Sequence, residues 1–297
     1  MQHVLTLVER LAATELTLML IGETGTGKDV LAHAIHDASP RNQAPFVVFD
    51  CGAVAPNLAE SELFGHERGA FTGAHAAHAG AFERAQGGTL FLDEVGELTI
   101  DLQPRLLRAL ENRRVRRVGG TEYQPVDLRV IAATNRDLKE LVKAGQFRED
   151  LYFRLATAVV PVPPLRDRPE DIALLIPRLL ADLGKPDLVV SPEARDVLVS
   201  HSWPGNVREL KNALACALAF VDSGGTIEQS HLKSLESGDA EGAIERLPLG
   251  GQPLERLERA AIKQTLIHSR GNKIRAAEAL GIALSTLYAK IKKYGLQ

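Results

Sequence analysis

The run GETGTGKD at residues 22–29 follows the apolar stretch 16–21 and opens the helix-like stretch 28–38. Glycines this dense between a strand and a helix leave backbone N–H groups bare at a helix N-terminus, where the aligned peptide dipoles favour an anion. The pattern predicts a phosphate cradle made of Gly22, Glu23, Thr24, Gly25, Thr26, Gly27, Lys28 and Asp29, with the Lys28 ammonium on the β- and γ-phosphates. The generic motif carries Ser or Thr after the lysine as a magnesium ligand, and Asp29 stands there instead; a tight glycine turn is the bland alternative.

The residues around this loop carry a matching periodicity. Short β-branched runs at 46–49, 89–92, 128–132 and 158–162 alternate with helix-like stretches at 101–112 and 136–143. Such alternation predicts an α/β fold with a parallel sheet covered on both faces, its ligands bound beyond the carboxyl ends of the strands. Past Pro161 the pattern turns wholly helical, over 170–183, 192–200 and 206–221, with Pro163, Pro164 and Pro169 at the join. We read 1–162 as the sheet-bearing part and 163–235 as a helical lid. Residues 223–253 are rich in Gly, Ser and acids, with apolar clusters too sparse for a core; a linker is placed at 236–252 and a separate piece at 253–297.

Further motifs fall at the other strand ends. GGTLFLDEVGE at 87–97 is an apolar strand closed by two carboxylates: Asp93 suits magnesium, directly or through water, and Glu94 suits polarising an attacking water. A solvated strand end is the alternative, though two motifs at separate strand ends are more specific than one. ATN at 133–135 puts the Asn135 amide where it could sense a γ-phosphate, position the water or cap the next helix. Arg148 and Arg154 in FREDLYFR and Arg208 in WPGNVREL could neutralise transition-state charge, or be surface arginines paired to acids such as Glu149 and Glu209. Between these motifs, Gly65, Gly69, Gly73 and Gly80 break an otherwise helical pattern, and GAFTGA (Gly69, Ala70, Phe71, Thr72, Gly73, Ala74) reads as an exposed tip. His66, His75 and His78 match no zinc spacing and are read as loop histidines.

Charge separates the two ends of the chain. From Gln252 onward nine Lys and Arg stand against three acids, a net +6, whereas the whole chain is −3, so the residues before it carry −9. A basic segment of this kind meets polyanions. Cys51 and Cys216 lack CxxC spacing and are expected to be two buried thiols. The apolar stretches are strand-sized and no basic region with an apolar core follows Met1, so a cytoplasmic protein without membrane spans is expected.

GETGTGKD, ELFGHERGAFTGA, GGTLFLDEVGE, ATNRDL, FREDLYFRL and WPGNVREL, in this order, resemble the AAA+ domain of bacterial enhancer-binding proteins, the sigma-54-dependent transcription activators. The resemblance spans nearly the whole chain, with GAFTGA its most specific element. It implies an AAA+ P-loop NTPase fold with a helical lid, and hydrolysis of ATP with Mg2+ at the interfaces of a hexameric ring, a dimer when inactive. It further implies that Lys28 holds phosphate, Asp93 magnesium, Glu94 the catalytic water and Asn135 the first sensor role. Arg148 and Arg154 would act in trans as arginine fingers and Arg208 as the second sensor, while Phe71 and Thr72 would touch sigma-54 within the RNA polymerase holoenzyme. Asp50 departs from the family, which has there an Asn paired with the catalytic glutamate as a switch; an Asp would repel Glu94 unless one is protonated or magnesium intervenes.

The segment from Pro253 resembles the Fis-type helix-turn-helix, an all-α domain that would hold double-stranded enhancer DNA. Leu254, Leu257, Ala261 and Leu266 form an apolar stripe on a first helix, followed by helices over 272–280 and 285–294. Ser285, Thr286 and Tyr288 then lie where base edges can be reached, and Lys290, Lys292 and Lys293 suit phosphates. A solubilising basic bundle is the alternative for this piece. For the whole chain the rivals are an ATPase-defective DNA-binding regulator and an AAA+ remodeller of another client. The family commonly carries an N-terminal sensory domain, and its pattern starts here within the first few residues, so a fragment of a longer protein is expected.

Overall fold

The computed structural model describes residues 1–221, 225–232, 262, 265 and 273–294. The chain divides into two compact units, Met1–Leu232 and Lys233–Gln297.

The first unit opens with helix α1 (Gln2–Ala12), strand β1 (Leu18–Ile21), α2 (Lys28–Asp37) and β2 (Phe46–Asp50). It continues through α3 (Pro56–Phe64), α4 (Ala81–Arg84), β3 (Thr89–Asp93), α5 (Gln103–Asn112) and a small antiparallel pair, β4 (Arg114–Val115) and β5 (Gln124–Pro125). Then come β6 (Arg129–Thr134), α6 (Leu138–Lys143), α7 (Glu149–Leu155) and β7 (Ala158–Pro161). Five strands form one parallel sheet in the order β2-β3-β6-β1-β7. Every run expected as a strand is in this sheet, with ends displaced by one or two residues.

Period-two alternation sorts the side chains of each strand between two cores. Leu18, Leu20, Phe91, Ile131, Ala133 and Val160 pack with Val4, Val8, Leu31 and Ile35 of α1 and α2 on one face. Met19, Leu90, Leu92, Val130 and Ala132 pack on the other with Leu63, Leu106, Leu110 and Leu151 of α3, α5 and α7. Burying each such leucine is worth about 1.5–3 kcal/mol, so the two faces together hold the parallel strands. Arg129 is an exception inside β6. Its guanidinium is buried and donates to Ala12 O (2.7 Å) and Leu11 O (2.8 Å), two carbonyls at the C-terminus of α1.

The lid comprises α8 (Pro169–Asp182), α9 (Pro192–Ser200) and α10 (Asn206–Leu218). A two-strand parallel pair, β8 (Val189–Val190) with β9 (Thr226–Ile227), ties the far end of the lid to its middle. Residues 226–232, read as the end of the lid but within a stretch whose apolar residues looked too sparse for a core, do contribute to one: Ile227 and Leu232 are buried, the latter in the turn Gln229–Leu232. Two apolar side chains suffice there because α9 and α10 supply the rest of the core. The linker at 236–252 lies outside the described residues. Cys51 is buried as expected, but Cys216 is exposed on α10, where it falls outside the apolar stripe.

In the second unit, α11 (Lys273–Ala279) and α12 (Leu284–Tyr294) flank a turn at Gly281, and Ala276, Ala277 and Leu287 bury one another with Ile262. Leu254, Leu257, Ala261 and Leu266, expected as the stripe of a preceding helix, lie outside the described residues. Among the described residues no helix is long and apolar enough to cross a membrane.

Candidate nucleotide-binding site

Because the sheet is parallel, the carboxyl ends of β1, β2, β3 and β6 open on one edge, and the polar residues following each strand gather there. Residues 22–27 leave β1 and turn directly into α2, whose first residue is Lys28. Gly27 caps the helix at φ 93°, a left-handed conformation that glycine adopts without cost. Among the described residues the N–H groups of Gly25, Gly27 and Lys28 have no backbone partner, so the loop offers bare donors at a helix N-terminus. The buried Lys28 ammonium folds back to donate to Gly22 O (2.8 Å) and Glu23 O (3.0 Å). Burial pushes its pKa down, while the charges of Asp93 and Glu94 pull the other way. These bare donors and the cation above them fit a polyphosphate.

At the end of β3, Asp93 is half-buried and accepts the Glu94 N–H at Oδ1 (2.9 Å). Burial raises its pKa, opposed by that N–H and by the Lys28 charge. Glu94 has φ 49°, a strained backbone for a non-glycine residue at the turn out of the strand. Asp50 pairs in register with Asp93 across β2 and β3. Its Oδ1 accepts the N–H groups of Gly52 (2.9 Å) and Ala53 (3.0 Å). Gly52 lies beside both acids: a Cβ there would stand 3.1 Å from Glu94 Oε2 and 3.5 Å from Asp50 Oδ1.

Asn135, at the end of β6, donates Nδ2 to Thr24 Oγ1 of the glycine loop at 2.9 Å. The capping role belongs to Asp137, whose Oδ1 accepts from Lys139 and Glu140 at the start of α6. Arg148 forks onto Asp150 at 2.8 and 3.1 Å rather than onto Glu149, and Arg154 donates to Leu110 O at 2.9 Å. Neither has the glycine loop of its own chain among these partners. Arg208 is exposed and has no pairing with Glu209, which instead accepts the Gly205 N–H at 2.7 Å. A Cβ on Gly25 would lie 2.4 Å from Gly205 O and 3.0 Å from the Arg208 Cβ, so only glycine admits this approach of the lid.

Three further residues join the site that the motif reading did not include. Asn206, Arg166 and Arg168 bond respectively to Thr24 O (3.0 Å), the Glu23 carboxylate (2.6 and 2.8 Å) and Thr26 O (2.9 Å). Their sequence signal is faint, since WPGN and LRDR look like ordinary helix starts.

The GAFTGA segment forms a tight turn on a loop between α3 and α4. Gly69 N–H donates to Ala74 O (2.8 Å), and the base is closed by reciprocal backbone bonds between His66 and His78 at 3.0 and 2.9 Å. Thr72 is exposed and Phe71 is 40% exposed, its ring edge-on to His66 with centroids 5.0 Å apart. Ala74 is the buried member of the motif. In the second unit, Ser285, Thr286 and Tyr288 are exposed on the first turns of α12. The Lys273 ammonium stands 5.1 Å from the Tyr288 ring centroid, and that of Lys293 5.3 Å from the Tyr294 ring. Lys290 is partly buried, and the side chain of Lys292 lies outside the described residues.

Comparison with known proteins accounts for almost the whole chain. Residues 1–161 match the family described as the sigma-54 interaction domain, 166–243 the AAA+ ATPase lid domain, and 253–294 the bacterial regulatory protein, Fis family. The chain is 42% identical over 300 residues to the nitrogen fixation protein AnfA of Azotobacter vinelandii, covering all of this chain and 56% of that protein. It is 43% identical over 301 residues to the transcriptional regulatory protein ZraR of Escherichia coli, covering 99% of this chain and 67% of that one. The structure of NtrX from Brucella abortus in complex with ATP aligns with 99% of this chain and 67% of its own, at 34% identity and a TM-score of 0.71. The chain thus spans between about half and two thirds of the length of these relatives. With its glycine loop, helical lid and paired terminal helices, the chain belongs to the sigma-54 interaction domain family of AAA+ regulators that carry a Fis-type helix-turn-helix.

Proposed function

We propose that this chain is a sigma-54-dependent transcriptional activator that hydrolyses ATP in a hexameric ring to remodel the sigma-54 RNA polymerase holoenzyme, so that promoter DNA can open. The observation that carries the reading is the meeting of Lys28, Asp93, Glu94, Asn135 and Arg208 around one bare glycine loop. Lys28 would leave Gly22 O and Glu23 O for the β- and γ-phosphates, and Glu94 would orient the attacking water. Asp93 would hold Mg2+, which neutralises developing phosphate charge when bound. Asn135, already bonded to Thr24, would sense the γ-phosphate, and Arg208 would report it to the lid.

Arg148 and Arg154 would serve a neighbouring copy's nucleotide, a role supported by their exposure and by partners outside the glycine loop of their own chain. Phe71 and Thr72, at the exposed turn, would contact sigma-54. Ser285, Thr286 and Tyr288 would read base edges of upstream enhancer DNA, with Lys290, Lys292 and Lys293 on phosphates. The domains run 1–162, 163–235 and 253–297, joined by 236–252, and the protein works in the cytoplasm, a dimer when inactive.

Open-complex formation on a fully paired sigma-54 promoter tests this. The parent chain with ATP is expected to open the promoter, Lys28→Ala to lose both hydrolysis and opening, and Thr72→Ala to keep hydrolysis while losing sigma-54 engagement. Hydrolysis without opening by the parent would turn the reading toward another client. Absence of hydrolysis would turn it toward a DNA-binding regulator with a defective switch, which the carboxylate of Asp50 keeps in view.

A further inference from the structure

Two stretches distant in sequence converge on the Glu23 side chain of the glycine loop. Arg166, in the short turn Leu165–Asp167 that leads from the sheet into the lid, donates to Oε1 at 2.6 Å and Oε2 at 2.8 Å. Asn206, the first residue of α10, donates Nδ2 to Oε2 at 3.1 Å and to Thr24 O at 3.0 Å. The same side chain accepts the Leu165 N–H at Oδ1 with a distance of 2.7 Å. One amide with no exposed surface therefore bonds the entry turn of the lid, the last helix of the lid and the glycine loop.

The backbone at Asn206 argues that this amide is what the position requires. Its φ of 54° is a left-handed conformation that glycine adopts freely and asparagine only at a cost. Were the turn alone needed, glycine would serve better. Both Glu23 oxygens are engaged by groups from the lid side, and a bare carboxylate turned toward phosphates would repel them. Arg166 beside it holds the Glu23 carboxyl down at about 2, so it stays ionised across the neutral range.

We propose that Glu23 and Asn206 are positioning residues that join the lid to the glycine loop, rather than nucleotide ligands, and that they set where Arg208, two residues along α10, stands over the loop. This rests on the nucleotide reading above and adds to it the joint through which the lid and the loop act on one another. Glu23, which the motif alone groups with the phosphate cradle, belongs on this reading to the lid.

The test is titration of the full chain with a fluorescent ADP analogue, alongside thermal melting. Asn206→Asp sets a second carboxylate against Glu23 and is expected to weaken binding at least ~10-fold. Asn206→Gly suits the backbone but removes the amide, and is expected to weaken binding comparably. Adding Glu23→Gln to Asn206→Asp supplies an amide that donates to the new carboxylate, and is expected to recover most of the loss, which a general loss of packing would not allow. Unchanged binding in both Asn206 variants, or a double variant no better than Asn206→Asp alone, overturns the proposal. If either Asn206 variant fails to fold, Glu23→Gln and Arg166→Ala decide it, since both side chains are more than two-fifths exposed. Each is then expected to weaken binding severalfold, and parental affinity in both overturns the joint. A parent chain that binds no nucleotide overturns the nucleotide reading and this one together, whereas normal parental binding with indifferent variants overturns this one alone.

Discussion

Lys28 and Asp93 sit in the same half-enclosed edge with opposite pKa displacements, each from the cost of withdrawing its charge from water. Burial costs of this kind are offset when a group of complementary charge binds beside each side chain. Lys28→Met is therefore expected to leave the melting temperature of the nucleotide-free chain unchanged or slightly higher, while removing the upward shift that added ADP produces in the parent. Thermal melting with and without ADP checks both halves. Asp50 raises the Asp93 pKa through its own charge and keeps Oδ1 on two backbone N–H groups. Asp50→Asn preserves that acceptor and removes the charge, so the acid limb of the ATPase pH profile is expected to move downward by less than ~1 unit. An upward move would contradict this electrostatic account. At this scale the strand-end residues were readable from motif and spacing, because a P-loop constrains residue type position by position. The capping of α6 by Asp137, and not Asn135, was not readable: both are good caps and only the helix start decides.

Two joints between elements carry more than their sequence suggests. Arg129 closes α1 onto the sheet with two carbonyl bonds from a buried guanidinium. Arg129→Ala strips both bonds and leaves a void, and is expected to cost about 2–4 kcal/mol in urea unfolding of the chain. A loss below roughly 1 kcal/mol would mean that water replaces the guanidinium at little cost. The Glu23–Arg166 joint titrates with acid. Because the folded Glu23 value is depressed from 4.5 to about 2, its contribution is complete above pH 4.5 and is lost as pH falls from there toward 2. The pair is exposed and solvent-screened, so the effect is small. Glu23→Gln is expected to lower the melting temperature slightly across the neutral range and to flatten that acidic stretch of the curve, so that the two chains converge toward pH 2. The strands of the main sheet and the helices that were expected were readable to within three residues at their ends because alternation and 3.6-residue periodicity are local, whereas α1, α3, α4 and α7 were not expected. The burial of Ile227 and Leu232 was not readable, since these two apolar residues acquire a core only when α9 and α10 arrive.

For the molecule as a whole, charge and architecture divide the work between two units. A chain ending after Leu232 is expected to retain ATP hydrolysis and lose DNA binding. For the full chain, three phosphate contacts per copy from Lys290, Lys292 and Lys293 would weaken DNA binding by ~40-fold between 50 and 200 mM salt. An electrophoretic shift assay at two salt concentrations reads this, and a flat response would remove these lysines from the phosphate interface. The parallel sheet, the glycine loop, the acid pair and the basic terminal segment all followed from residue order, because each depends on periodicity or on a motif contained in a few consecutive residues. Which groups meet across long separations did not. Asn206 bonds to Thr24 182 residues away and Arg166 to Glu23 143 residues away. Those contacts exist only once the proline-punctuated join after β7 turns the lid back over the sheet edge, a geometry that depends on the packing of the entire first unit.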